Sequence, residues 1–332
     1  MTGVAVREGL AIEIRERYSD VAESRWPVSV DPFPDELLSS WLHRLALANG
    51  IAPRSFAGVL GLGNGMWSPR LDLHLPRHVA ALLADQTGVP REAIIKMSMT
   101  GCALIPLLLP RRENAHRNRS TWMQYCPLCL ADDEVPYFRR QWRLSSRISC
   151  FVHRCSLRDR CPSCRAGIAS FDQTELRPQH VCARCSFDLR SAPKTSVNAA
   201  SRRLERAIAD ICRIEVAKRS PTIKNLVSRL LHAPVVAEIR RAKRLTSLST
   251  ATRIHCFHTL TTRPADWLYS KEEVTVAHRR RAILAAGGHG ELIAGFADIL
   301  ERNQESRPSK HSPRSPRDAD LPHLLEAYSR FI

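Results

Sequence analysis

Four pairs of potential metal ligands, each with two residues between its members, constrain this chain more than any other feature. The pairs are Cys126 with Cys129, Cys150 with His153, Cys161 with Cys164, and Cys182 with Cys185. A two-residue gap lets both ligands of a tight turn face one metal ion, and two such turns complete a tetrahedron of nitrogen and sulfur ligands. The eight residues therefore predict two structural Zn²⁺ ions per chain.

The four pairs can combine into two sites in more than one way. Sequential pairing gives one site of three cysteines and a histidine, from Cys126 to His153, and a second site of four cysteines, from Cys161 to Cys185. Interleaved pairing would give a RING-like cross-brace, in which two or three residues usually separate the histidine from the next cysteine. Cys155 comes too soon after His153 and Cys161 comes too late, so the spacing favours sequential pairing.

Both predicted sites have four good ligands, which is typical of structural rather than catalytic zinc. A catalytic zinc takes three protein ligands and keeps one position for water. A zinc deaminase would also need a His-x-Glu motif before its cysteines, whereas the His289-Gly290-Glu291 motif follows all of the pairs. We therefore predict that the protein is not an enzyme. Cys155 is interpreted as a small buried residue, and His180 as an alternative ligand.

Two enzyme classes are the competing interpretations of this region. A RING-type ligase would require the cross-brace, and a nuclease would require a cluster of carboxylates or histidines. The dense acidic cluster near the zinc region is Asp132-Asp133-Glu134. We interpret this cluster as a solvated loop.

The sequence before the cysteines has a helical period. Apolar residues recur at i, i+3, i+4 and i+7 from Leu38 to Leu45, which indicates one buried helical face. Asp35 is placed to cap the start of this helix. A second short helix is expected from Pro53, so the pair has the outline of a helix-turn-helix. Two further helices are expected over residues 76–99.

The helical period returns after the cysteines. One helix is expected from Ala199, and others over residues 222–247 and 271–303. The polar, Pro- and Ser-rich stretch 303–320 is typical of a flexible linker. The last residues, 321–332, have the pattern of one short amphipathic helix.

These patterns predict a mainly α protein with two small zinc-stabilised knuckle or ribbon modules. The expected divisions follow the changes of composition along the chain. They are an N-terminal arm (1–30), a helix-turn-helix-like subdomain (31–110), a double zinc-binding region (111–193), a basic helical C-terminal domain (194–303), and a linker with a short terminal helix (304–332).

Positive charge points to a polyanionic partner. The chain has 50 Lys and Arg residues against 33 Asp and Glu, a formal net charge of +17. Residues 200–244 alone have twelve bases and four acids, an excess typical of proteins that contact nucleic acid. The predicted phosphate contacts are Arg202, Arg203, Arg206, Arg240, Arg241, Lys243 and Arg244. The alternative is a solvated surface whose arginines reflect codon bias. The arginines near the cysteines have two possible roles, contact with DNA and neutralisation of the zinc thiolates.

Neither a membrane nor a secretory context is expected. The longest apolar run, from Ala103 to Leu109, is far shorter than the ~20 residues needed to cross a bilayer. The first thirty residues have no apolar stretch of the secretory kind. Without such a signal a disulfide scaffold is not expected, because a reducing cytosol does not maintain one. We expect a bacterial cytoplasmic protein that is associated with the nucleoid when it is bound to DNA.

Several stretches, taken in order, resemble the TniQ family of transposon target-selection factors. The first is Pro34-Asp35-Glu36-Leu37-Leu38-Ser39-Ser40-Trp41-Leu42-His43-Arg44-Leu45-Ala46 with Asn49-Gly50. The others are Tyr125-Cys126-Pro127-Leu128-Cys129-Leu130, Trp142-Arg143-Leu144, Cys150-Phe151-Val152-His153, Leu157 and Cys161-Pro162-Ser163-Cys164. The order and spacing of these stretches are specific to the family and cover about residues 27–190. The C-terminal third is similar only in being helical and basic.

The resemblance implies an adaptor that has no chemistry of its own. Such proteins recognise a DNA site or a DNA-bound targeting complex, in some members a guide-RNA effector complex, and recruit an AAA+ ATPase regulator that positions the transposase. The resemblance also implies partner contacts by the N-terminal helices and the first knuckle, and a homodimer. The alternative function is a zinc-finger transcription regulator that reads DNA with the helix-turn-helix over residues 36–60. A regulator would bind an operator alone, whereas an adaptor would act only with its ATPase.

Overall fold

The computed structural model describes residues 25–52, 70–110, 121, 123–168, 175–239 and 244–305. Across these ranges the protein is mainly helical and contains no sheet, only isolated β-bridges. The predicted fold class is thereby confirmed. Most of the N-terminal arm, the helix expected from Pro53, and the linker with its terminal helix lie outside the described residues.

Four helices before residue 100 make up the described part of the N-terminal unit. They are α1 (Leu38–Ala48), α2 (Arg70–Leu73), α3 (Arg77–Thr87) and α4 (Arg91–Met97). Trp41 of α1 is fully buried in the apolar core of this unit. Its Nε1 donates a hydrogen bond of 2.8 Å to the carbonyl of Val30. The helical period therefore placed the buried face of α1 correctly.

The expected cap of α1 is wrong. Leu37 is the residue that precedes the helix, and no side chain caps its first amides. Asp35 instead has a left-handed backbone with φ 55°, and its Oδ1 accepts a hydrogen bond of 3.1 Å from Arg140 Nε. Asp35 lies too far before the helix to reach the free amides, so its carboxylate joins the N-terminal unit to the cysteine-rich region.

The cysteine-rich region is built mainly from tight turns. Its regular elements are α5 (Pro127–Asp132) and short 3-10 turns over Arg140–Arg143 and Leu189–Ser191. Isolated bridges, such as the one between Tyr125 and Arg158, hold distant turns together. Phe138 and Trp142 pack edge to face, with ring centroids 6.1 Å apart, inside a core that also contains six of the cysteines.

The C-terminal unit is an assembly of helices around α6. Its described helices are α6 (Ala199–Ala217), α7 (Ile223–Leu231), α8 (Ala233–Val236), α9 (Thr250–Thr261), α10 (Val274–Ala286) and α11 (His289–Glu305). Helices α9 and α10 pack against α6. Helices were expected over residues 222–247, and the structure has α7 and α8 there. Helix α9 was not predicted.

Residues 271–303, where helices were expected, contain α10 and α11. Gly287 and Gly288 have φ values of 84° and 154° and separate α10 from α11, which meet at an angle of 85°. In the described part of the chain, no single helix is long and apolar enough to cross a membrane. Only this bent pair, taken together, has the length and composition to do so.

Buried charged residues connect the units. Glu205 of α6 is fully buried and accepts hydrogen bonds from the amides of Ile148 and Ser149 at 2.9 Å and 3.2 Å. It also accepts from the Ser149 hydroxyl and lies 3.7 Å from Arg147 Nε. Because a buried carboxylate is costly unless such partners surround it, α6 is held in one position against the cysteine-rich region.

A second buried network holds α9 in place. Arg253 is fully buried, and its Nη2 donates to Gln124 Oε1 at 2.9 Å and to Thr250 Oγ1 at 2.7 Å. The amide of Gln124 in turn donates to the carbonyl of Trp142 at 3.0 Å. The C-terminal unit is therefore attached to the cysteine-rich region at two separate places.

Candidate metal centres

The first candidate centre joins α5 to a turn about twenty residues later. Cys126 precedes α5 and Cys129 lies inside it, so that Cys126 Sγ accepts the Cys129 amide at 3.5 Å. Cys150 and His153 flank a second tight turn, in which Cys150 Sγ accepts the His153 amide at 3.4 Å. The Nδ1 of His153 lies 3.5, 3.3 and 3.6 Å from the sulfurs of Cys126, Cys129 and Cys150.

The distances within this group fit a tetrahedral zinc ion. With bonds of about 2.3 Å to sulfur and 2.0–2.1 Å to nitrogen, the ligand atoms of such a site stand roughly 3.5–3.8 Å apart. The sulfurs of Cys129 and Cys150 are 3.5 Å apart. Hydrogen bonds from the thiols of Cys129 and Cys150 lower the pKa of Cys126 to about 7. The same contacts raise the pKa of Cys129, so one proton is shared within the group.

A carboxylate outside the four ligands orients the histidine. Asp132 is the last residue of α5, and its Oδ2 lies 2.7 Å from Nε2 of His153. A carboxylate in this position holds the ring proton on Nε2, so that the lone pair of Nδ1 faces the three sulfurs. Asp132 and Glu134 are exposed, as the interpretation of residues 132–134 as a solvated loop expects, whereas Asp133 is half-buried and forms a salt bridge of 2.7 Å with Arg139.

The second candidate centre contains four cysteines on two tight turns. The sulfurs of Cys161 and Cys185 are 3.6 Å apart, and those of Cys164 and Cys182 are 3.7 Å apart. Cys161 and Cys182 are buried, whereas Cys164 and Cys185 are exposed. The four sulfurs therefore lie at the surface of the molecule and are supported from one side by the core.

The structure brings the eight predicted ligands together in sequential order. Cys126, Cys129, Cys150 and His153 form one group, and Cys161, Cys164, Cys182 and Cys185 form the other. Within each group all four ligand atoms lie within 4.8 Å of one another, so each group could hold one metal ion. The cross-brace would need the opposite combination of pairs and is not formed.

Two nearby residues stay outside both groups. Cys155 is fully buried, and its sulfur lies 3.5 Å from that of Cys126, yet it is not one of the four clustered ligands. His180 likewise belongs to neither group, and burial lowers its pKa. The sequence interpretation of Cys155 as a small buried residue agrees with this position.

The predicted phosphate contacts are only partly described. Arg202, Arg203 and Arg206 lie along α6, and Arg244 precedes the 3-10 turn Leu245–Ser247. Two of them have partners within the chain: Arg202 Nε donates to the Val197 carbonyl at 3.2 Å, and Arg206 lies 3.7 Å from Glu291. Arg203 and Arg244 are exposed. Arg240, Arg241 and Lys243 lie outside the described residues, so phosphate contact by this set stays a prediction.

Several arginines near the cysteines are buried and have structural roles. Burial lowers the pKa of Arg143 to about 10, although the carboxylate of Asp72 opposes this shift. Arg147 is also buried, and its guanidinium stacks over the ring of Phe151 at 3.2 Å from the centroid. Sequence reasoning treated both as candidates for zinc neutralisation or DNA contact. Their burial removes Arg143 and Arg147 from any DNA-contacting surface.

The fold and the two Cys/His groups define a mainly helical protein with two four-residue groups that could each hold a metal ion. The family model of TniQ matches residues 27–157. The chain thus carries a TniQ family domain, which includes α1 to α5 and all four residues of the first centre. The resemblance noted in the sequence is confirmed over this stretch. Comparison with the curated proteins gives no match.

A TniQ domain implies a role in transposition. Proteins of this family are generally non-catalytic transposition factors. The second centre begins at Cys161, after the end of the matched stretch, and the C-terminal helices lie entirely beyond it. The match therefore covers residues 27–157 alone.

Proposed function

We propose that this protein is a non-catalytic target-selection adaptor in DNA transposition. It connects target DNA, or a DNA-bound targeting complex, to an AAA+ ATPase regulator and through that ATPase to the transposase. The TniQ domain over residues 27–157 is the observation that carries the proposal. The protein works in the bacterial cytoplasm, at the nucleoid, and forms homodimers.

Each candidate centre holds one structural Zn²⁺ in this proposal. Four thiolate or imidazole donors leave no ligand position for a reacting water, so the ion serves folding and not chemistry. Each ion joins two tight turns, and its binding adds free energy to the folding of the region. The two centres thereby keep the region between the N-terminal and C-terminal helices in one shape.

Metal analysis tests this part of the proposal. We expect two zinc ions per purified chain, and one ion in each of the variants Cys129→Ser and Cys164→Ser. The two variants are matched controls for each other, because each removes one ligand from a different centre. Zinc contents of zero or one in the unmodified protein would contradict the two-centre assignment.

The tip of the first knuckle is the surface that we assign to the ATPase regulator. Val152 lies between Cys150 and His153 and is 76 % exposed, more than any other large apolar side chain in the described residues. An apolar side chain held rigidly at such a tip gains free energy when a partner covers it. The TniQ family match includes this tip.

A binding experiment tests the adaptor role. The purified ATPase regulator from the same transposon is immobilised, and capture of the full-length chain is measured with and without duplex DNA. We expect Val152→Asp to abolish capture while zinc content and melting temperature stay unchanged. Val235→Asp is the matched control, because Val235 is also exposed, at 59 %, but lies on α8 far along the chain from the TniQ domain.

The alternative function predicts a different result in the same experiment. A transcription regulator would bind one operator sequence alone, and the ATPase would not change that binding. The adaptor instead binds duplex DNA weakly, through phosphate contacts that include the exposed Arg203 and Arg244. Tight, sequence-specific binding without the ATPase, together with no capture by the ATPase, would favour the regulator.

A further inference from the structure

A cleft of about 250 Å³ lies between the second candidate centre and the start of α9. Its lining includes three arginines, Arg158, Arg160 and Arg165, and the polar residues Thr195, Ser249 and Thr250. At roughly 30 Å³ per water, this is room for about eight waters. The cleft is therefore smaller than the 300–1,000 Å³ typical of sites for drug-sized ligands, and it fits a small charged group.

The charge of the cleft favours an anion. The lining has three arginines against one carboxylate, Asp159, and it also includes Cys161, a ligand of the second centre. The Oδ2 of Asp159 already accepts the amide of Thr250 at 3.1 Å, and its backbone carbonyl accepts the Thr121 hydroxyl at 2.8 Å. Asp159 thus serves to hold α9 against the cysteine-rich region. Guanidinium groups bind phosphate oxygens through charge-assisted, often bidentate hydrogen bonds.

The chain itself holds two of these arginines in position. Arg158 donates from Nε to the Pro193 carbonyl at 3.0 Å and from Nη2 to the Thr195 hydroxyl at 3.3 Å. Arg160 donates from Nη1 to the carbonyl of Arg165 at 3.2 Å. A ligand that meets side chains already fixed in this way loses less conformational entropy on binding.

Arg165 occupies a backbone position that suits glycine. Its φ is 64°, because the knuckle turn closes with a hydrogen bond of 3.0 Å from the Arg165 amide to the Cys161 carbonyl. A side chain at such a φ is strained, whereas glycine adopts it readily. Arg154 occupies the equivalent position after the first knuckle, with a φ of 55°, so this backbone conformation belongs to the knuckle turn and what distinguishes Arg165 is its place in the cleft lining.

We propose that this cleft binds a phosphodiester group of the nucleic-acid backbone, with Arg158, Arg160 and Arg165 as its ligands. The proposal rests on the proposed function, because target selection brings DNA to the protein. None of the three arginines belongs to the set on α6 and around residue 244. The cleft would bring DNA phosphate close to the second centre and to the start of α9.

The test uses two variants that share the same backbone change. Arg165→Gly removes a guanidinium from the cleft and relieves the strained φ. Arg154→Gly is the matched control, since Arg154 follows the first knuckle with a φ of 55°, is exposed, and does not line the cleft. Both variants lose one positive charge, and neither is expected to melt below the unmodified protein.

Binding of a fluorescent duplex of about 20 base pairs by the zinc-loaded full chain is measured across a salt series. We expect Arg165→Gly to bind on the order of tenfold more weakly, as for the loss of one charge-assisted hydrogen bond. Its salt slope should fall by about 0.9 relative to the unmodified protein. Arg154→Gly should keep both the affinity and the slope.

Three results would overturn the proposal, and each is distinct. Equal salt slopes for the two variants would show that the cleft does not contact DNA, while DNA binding elsewhere on the protein would stand. If the unmodified protein does not bind duplex DNA, the result would also contradict the DNA contact that the proposed function includes. Titration with inorganic phosphate is the third arm: binding that Arg165→Gly abolishes, without any change in duplex affinity, would make free phosphate the ligand.

A chelator experiment distinguishes the phosphate-binding role of Arg165 from a role in stabilising the zinc centre. A zinc ion with four thiolates has a net charge of −2, which a nearby guanidinium would stabilise. If Arg165 serves only that charge, Arg165→Gly should lose zinc from the second centre faster and keep its duplex affinity. That outcome would also contradict the phosphodiester site.

Discussion

Replacement of Glu205 should test how the C-terminal helices are attached to the zinc-binding region. The carboxylate is fully buried and accepts from two backbone amides, at 2.9 Å and 3.2 Å, and from one hydroxyl. Each buried donor that loses its acceptor costs about 1–3 kcal/mol. Glu205→Ala leaves both amides and the charge of Arg147 without this carboxylate, so we expect a loss of about 3–5 kcal/mol in the free energy of unfolding.

Glu205→Gln gives a graded comparison. The glutamine keeps one acceptor oxygen and the shape of the side chain, but it has no charge to face Arg147. We expect this variant to lose about half as much stability as Glu205→Ala. Urea unfolding followed by tryptophan fluorescence measures both changes.

The same variants should also affect one metal centre and not the other. The amides that Glu205 binds belong to Ile148 and Ser149, directly before the ligand Cys150. Release of zinc to a chelator should therefore become faster at the first centre and stay unchanged at the second, where Cys164 is a ligand. A loss of less than about 1 kcal/mol, or equal release from both centres, would refute this account of the attachment.

Three other substitutions probe separate parts of the structure. Trp41→Ala should lower the free energy of unfolding by about 3–5 kcal/mol, because the ring is fully buried; a variant that unfolds like the unmodified protein would contradict that burial. Asp132→Asn should weaken zinc binding at the first centre about 10–100-fold, measured by competition with a chromogenic chelator, whereas Asp133→Asn should not. Asp72→Asn should remove a pH dependence of stability. Burial raises the pKa of Asp72 from 3.8 to about 6, so the unmodified protein should lose about 3 kcal/mol relative to the variant as the pH rises from about 4 to about 6. Parallel stability curves for the two proteins would rule out a protonated Asp72.

The sequence was sufficient where the determining contacts are local. The two-residue gaps within the ligand pairs fix each knuckle turn, and the spacing between pairs favoured the sequential grouping that the structure has. The hydrogen bond between Asp132 and His153 could not be predicted in this way. It depends on how α5 ends relative to a turn about twenty residues later.

Helix α9 shows why part of the C-terminal unit was missed. Periodicity analysis expects apolar residues on the buried face of a helix, but Arg253 occupies that face and is fully buried. Its acceptor, Gln124, lies in another unit. A single sequence does not distinguish an arginine that is buried from one that is exposed to solvent. Only the tertiary structure shows that Arg253 is buried. The start of α9 carried a usable signal, because Ser249 accepts the Thr252 amide as a cap.

The contact between Gln124 and Arg253 also has a consequence for the order of folding. The two residues are 129 positions apart, and Gln124 lies two residues before Cys126, a ligand of the first centre. Closure of such a long loop is slow unless one end is already ordered. On the ribosome the cysteine-rich region emerges first, so we expect its metal loading to come before the docking of α9. A chain synthesised during zinc starvation would then reach full length with Arg253 lacking its acceptor, and its C-terminal helices would be the first part exposed to proteases.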